Sequence, residues 1–181
     1  MIDIIDQIIK YYLQYKKSPT VNDLQIEDIT LMDPQQKSLF VTIYKNWEIN
    51  WSSWSAMNVN KIPLITLLIE NTIHALSRDK RFNPAELKDI ENLKVRLDII
   101  QSKTVLPEGK TLKDIDPTKS GILAIKKDYE KITLILANIH PVLITWDDYN
   151  EVLKAKLDDK DFKEENYLLY EIISEQKNNF S

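Results

Sequence analysis

The chain has 181 residues, 43% hydrophobic and 29% charged, which is enough for one water-soluble domain with a real apolar core. Its 24 Lys and Arg against 28 Asp and Glu leave a net charge of −4, with no general attraction for phosphate backbones, so the balance argues against nucleic acid as a partner. With no cysteine, disulfides, thiolate nucleophiles and Cys-based metal sites are excluded; with only two glycines, Gly109 and Gly121, the phosphate-cradling fingerprints of nucleotide-binding folds are missing too.

Ile2, Ile5, Ile8, Ile9, Tyr12 and Leu13 keep helical spacing, with acids early and Lys16 and Lys17 late, so a helix is expected over residues 1–17, stopped by Ser18-Pro19. Asp3 and Asp6 break that first apolar run. The longest run, Ile62 to Ile69, is too short to span a bilayer, so a cytoplasmic protein without a membrane partner is expected. The polar stretch around Met32-Asp33-Pro34 predicts a loop with at most a short helical turn. From Ser38 to Lys45, Leu39, Val41 and Ile43 alternate with Phe40, Thr42 and Tyr44, which predicts an interior strand apolar on both faces. Lys45-Asn46 predicts a turn, and Trp47, Ile49 and Trp51 the return strand of a hairpin.

Pro63 stands where a first helical residue should, and Ile65, Leu68, Ile69, Thr72, Ile73 and Leu76 form the stripe of a buried helix. Pro84 predicts a shorter helical turn through Ile90. Leu93, Val95, Leu97 and Ile99 alternate with Lys94, Arg96 and Asp98, the pattern of a half-buried strand with one wet face. Pro107 and Gly109 mark a loop, Gly121 opens a strand over Ile122–Ile125, and Lys126–Glu130 turns it toward a strand from Lys131 to Leu136. Thr145 reads as a helix cap with Asp147 and Asp148 in the first turn, and Trp146, Tyr149, Val152, Leu153 and Leu157 line one side. Alternation at Tyr167–Ile172 predicts a terminal strand. Hairpins mixed with a few helices give an α+β class: antiparallel sheets with packed helices.

Motifs that carry chemistry are sparse. His74 lies within a helix and His140 precedes a proline, neither with a second histidine at ligand spacing, so no metal, cofactor or catalytic residue is assigned and a non-enzymatic role is expected. Asp158-Asp159-Lys160-Asp161 and Glu164-Glu165 read as solvated charge. Trp47, Trp51 and Trp54 fall within eight residues. Such a cluster is either a hairpin sheathed in indoles or a partner-binding patch, because tryptophan dominates binding hot spots. In Arg78-Asp79-Lys80-Arg81-Phe82, Phe82 tucks into the core, and Asp79 and Arg81 either end a helix or hold a fixed loop that shapes a cleft. Arg78, Lys80, Arg81, Lys94 and Arg96 are the cations of a weaker reading, an RNA-binding face.

Phe40-Val41-Thr42-Ile43, Asp79-Lys80-Arg81-Phe82, Glu86-Leu87, Gly121-Ile122 and Leu136-Ala137-Asn138-Ile139 follow one another in an order and spacing that resembles the AMME chromosomal-region protein family, the AMMECR-type domain, from about residue 39 to 173. The resemblance implies a single domain over residues 1–181, built as two unequal lobes with a cleft. It also associates the chain with Memo-type and radical S-adenosylmethionine partners in a modification pathway. The family's Leu-Arg-Gly-Cys-Ile-Gly motif falls on Ile49-Asn50-Trp51-Ser52-Ser53-Trp54, where the arginine, both glycines and the cysteine are replaced. The expectation is therefore a protein that binds an unknown protein partner or small molecule without catalysis. Its site would be drawn from Asn50, Trp51, Ser52, Ser53, Trp54, Asp79, Arg81 and Phe82.

Overall fold

Helix α1 (Ile2–Tyr15) opens the fold seen in the computed structural model, which describes residues 1–35, 37–55, 61–79, 82–128, 130–139 and 145–180, apart from the side chains of Asn50, Trp51 and Trp54. Its stripe of Ile4, Ile5, Ile8, Ile9 and Leu13 is buried, and Lys16, in the left-handed region at φ 53°, ends it by donating its N–H to Tyr12 O. The polar stretch that follows forms two short 3-10 turns, Val21–Asp23 and Ile29–Met32, each tied by a carboxylate to a threonine: Asp23 to Thr20 and Asp28 to Thr30. A two-residue strand β1 (Pro34–Gln35) comes next, before β2 (Leu39–Lys45), β3 (Glu48–Trp54) and β4 (Ile62–Pro63), which pairs with β1. Pro63 is the N-cap of α2 (Leu64–Arg78), one position earlier than its expected place as the first helical residue.

A 3-10 helix at Leu87–Asn92 replaces the turn expected from Pro84 to Ile90. It starts later because Glu86 and Asp89 form a capping box, Asp89 accepting the Glu86 N–H. The rest of the chain supplies β5 (Leu93–Val105), β6 (Gly121–Lys126), β7 (Ile132–Ile135), α3 (Trp146–Leu157) and β8 (Tyr167–Asn178). The fold is α+β with antiparallel pairing at every described ladder.

Two compact units divide these elements: residues 1–99 with 176–181, and residues 100–175. In the first, strands run in the hydrogen-bonded order β3-β2-β5. Leu39, Val41 and Ile43 of β2 and Val95, Leu97 and Ile99 of β5 join the buried residues of α1 and α2 in one core. The chain returns here at its end, where Asn179 bonds Val95 through both main chain and side chain and donates to Asp6. In the second unit the order is β5-β8-β6-β7, with α3 packed beside β7 and a core of its own around Tyr149, Leu153, Ile122 and Ile135. Gly121 is required there, since a Cβ would lie 2.5 Å from Ile135 O. Both units end their sheets on strands whose outward polar groups are met by a side chain, Asp79 at β3 and Lys156 Nζ on Leu134 O of β7.

Candidate functional site

Strand β3 is the outer strand of its sheet, so every second N–H faces away from β2. At Ser52 that N–H is taken by the carboxylate of Asp79, the residue that ends α2, at 3.0 Å. The neighbouring Ser53 hydroxyl donates to Asn71 Oδ1 at 3.3 Å, and the buried Asn71 donates in turn to Leu67 O within α2. Two successive residues of β3 are thus pinned to α2, one through the main chain and one through the side chain. The Phe82 N–H closes a turn onto Asp79 O at 3.4 Å, and its ring packs partly buried against the core, as its apolar character predicts. Three candidates, Ser52, Asp79 and Phe82, therefore meet at the C-terminal end of α2, while Ser53 is held at mid-helix by Asn71. Arg81, with Lys80 and His140, lies outside the described residues. The backbones of Asn50, Trp51 and Trp54 belong to β3, where Trp51 registers opposite Ile43 and Trp54 opposite Phe40.

The hairpin leading into this strand turns at Asn46-Trp47, not at Lys45-Asn46 with Trp47 in the return strand. Both residues have positive φ, 54° and 68°, and Lys45 pairs directly with Glu48. That is the two-residue turn whose twist matches the flanking strands. Trp47 consequently leaves the strand and stands 60% exposed. Its indole meets Phe180 edge-on at 5.8 Å, Phe180 meets Tyr44 at 5.1 Å, and the Lys94 ammonium lies 5.9 Å from the indole centroid. The ladder then slips between Ile43 and Tyr44, leaving Asn50 as the extra residue of a bulge.

The expected wet face of β5 is not wet. Arg96 and Asp98 are 1% and 0% exposed and form a bidentate pair, Arg96 Nε donating to Asp98 Oδ2 at 2.7 Å and Nη2 to Oδ1 at 2.8 Å. Residues two apart on a strand share a face, which brings the fork and the carboxylate together. That face is shared with Phe40, Thr42 and Tyr44 of β2, all buried, so it is closed to water at Arg96 and Asp98, while Lys94 at its end stays partly exposed. Burial works against the charged guanidinium, but Asp98 and then Tyr44, which hydrogen-bonds it, hold Arg96 above its ordinary range. Burial likewise pushes the Tyr44 phenol up, partly opposed by Arg96. Arg96 accordingly does not stand on an exposed cationic face with Lys94. The signal was present in β2: a neighbour apolar on both faces implies that the strand beside it is covered too. Among the described residues, no group of His, Asp and Glu converges at metal-ligand spacing, and no helix is long and apolar enough to cross a membrane.

A model of a known family, described as AMMECR1, matches residues 2–170. The chain belongs to the AMMECR1 family. No curated protein matches it. A crystal structure of an uncharacterised protein from Pyrococcus horikoshii is similar over 99% of this chain and 89% of that one, with a TM-score of 0.73 at 16% identity. At that identity the likeness establishes the AMMECR1-type fold and nothing about activity. In this chain the α2 terminus lies beside β3, where Asp79 reaches Ser52.

Proposed function

We propose that this AMMECR1-family chain is a non-catalytic binding protein that engages a protein partner or small molecule through β3 and the segment following α2. The observation that carries the reading is the Ser52 N–H to Asp79 bond, which joins segments 27 residues apart into one local surface. Asp79 holds the backbone of the tryptophan-bearing strand and Asn71 holds its Ser53 side chain, and preorganised strands bearing tryptophan make effective hot spots. Trp51 and Trp54, at register positions on opposite faces of β3, would supply contact area with Asn50, and Asp79, Arg81 and Phe82 would shape the adjoining loop.

Affinity capture from the source cell, with wild type and with Trp51→Ala, Trp54→Ala and Asp79→Ala side by side, tests it. The expected result is a stoichiometric partner or ligand retained by wild type and lost by about tenfold or more in the tryptophan variants, at unchanged melting temperature. If the variants alter stability alone, or wild type retains nothing that a control column does not, the reading fails.

A further inference from the structure

The second unit has a surface cleft that the reading above does not use, walled by Trp146, Phe162 and Leu112 and rimmed by Lys113, Asp147, Asn150 and Glu164. Both rings are fixed from behind. Trp146 donates its indole N–H to Ile115 O and meets Tyr149 edge-on at 5.5 Å. Phe162 leans on Tyr167 at 4.7 Å, and the Tyr167 hydroxyl is itself tied to Asp159 at 2.6 Å. Packing of this kind fixes rotamers, yet both rings keep part of their surface in the cleft.

The charge around them has one prevailing sign. Glu164 uses Oε2 to accept the Leu112 N–H at 3.0 Å, and Oε1 accepts nothing from the described residues. Asp147 is exposed and has no partner among the described residues, and only Lys113 opposes the two carboxylates. The cleft lies on the first turn of α3, where backbone N–H groups would ordinarily draw an anion. Here the capping box has already taken that role: Thr145 Oγ1 accepts the Asp148 N–H, and Asp148 binds Thr145 in return. Asp147 and Asp148 offset the remaining dipole. Aromatic faces with carboxylates at the rim suit a cation with an apolar body. We infer that this cleft binds an alkylammonium group, its methyl or methylene carbons against Trp146 and Phe162 and its charge balanced by Asp147 and Glu164.

The test is an NMR titration of the full chain with choline and, in parallel, with 3,3-dimethylbutan-1-ol, its neutral carbon isostere. The Trp146 indole N–H signal, assigned by its loss in Trp146→Phe, reports occupancy. Choline should shift that signal and the Leu112 and Asn150 amides saturably, while the isostere binds at least about fivefold more weakly. Phe162→Leu should weaken choline about two- to fivefold. Asp147→Asn, at an exposed position that leaves the fold intact, should weaken it by a similar factor and reduce the salt dependence. Equal binding by the isostere overturns the proposal, as does a shift that does not saturate, or an Asp147→Asn titration indistinguishable from wild type.

Discussion

Asp98 is fully shielded from water and gives both carboxylate oxygens to Arg96, so each member of the pair is the other's counter-charge in a buried setting. Removing one leaves an uncompensated buried charge, at a cost of about 3–5 kcal/mol, whereas replacing both by apolar groups of similar volume is often neutral. Urea unfolding of Asp98→Ala should therefore show a loss of that size, and Arg96→Met with Asp98→Leu a smaller loss than Asp98→Ala alone. Tyr167 offers a second test at the same scale. Burial, with the hydrogen bond to Asp159 added, pushes its phenol up to about 12. A phenol that ionises near 10 in the unfolded chain then favours unfolding as pH rises from about 10 to about 12, and contributes its full stability below that window. Tyr167→Phe should flatten the alkaline loss of stability in that range. An identical pH profile in the variant would contradict the assignment.

At the scale of elements, the β2–β3 hairpin shows both what a pattern reveals and where it stops. The alternation of β2 was legible because both of its faces are apolar and the strand is interior. The turn was displaced by one residue because nothing in Lys45-Asn46-Trp47-Glu48 advertises a tryptophan at positive φ; asparagine tolerates that region and a bulky residue does not. The strain at Trp47 can be read by comparing two variants that both delete the indole. Trp47→Gly should exceed Trp47→Ala in stability by about 1 kcal/mol, measured by thermal or denaturant unfolding, because only glycine enters φ 68° without a Cβ clash. Equal stability would show the turn to be unstrained. Strand β5 misled for a different reason. Charges at alternate positions normally mark a solvated face, but Arg96 and Asp98 neutralise each other along the strand and their face is covered. By contrast α3 was readable to its first residue, since Thr145 and Asp148 form the capping box that their spacing implies.

At the scale of the whole molecule, the class was legible because helical and strand periodicities hardly overlap in this chain, and the ordered landmarks from Phe40 to Ile139 led to the family that residues 2–170 match. The two cores were less so. Leu97 and Leu169 look alike in sequence, yet one packs with α1 and α2 and the other with α3, a distinction made only by long-range pairing. The candidate site was legible in part: Ser52 and Asp79 were both named from their motifs, but their bond depends on α2 ending beside the outer strand, which no local pattern encodes. Amide hydrogen exchange at Ser52 reads whether Asp79 holds β3 ready for a partner, as proposed. A protected Ser52 amide in wild type, losing about tenfold or more of its protection in Asp79→Ala while the Val41 and Ile43 amides of the interior strand are unchanged, is the predicted result. A Ser52 amide that exchanges as fast in wild type as in Asp79→Ala would contradict it.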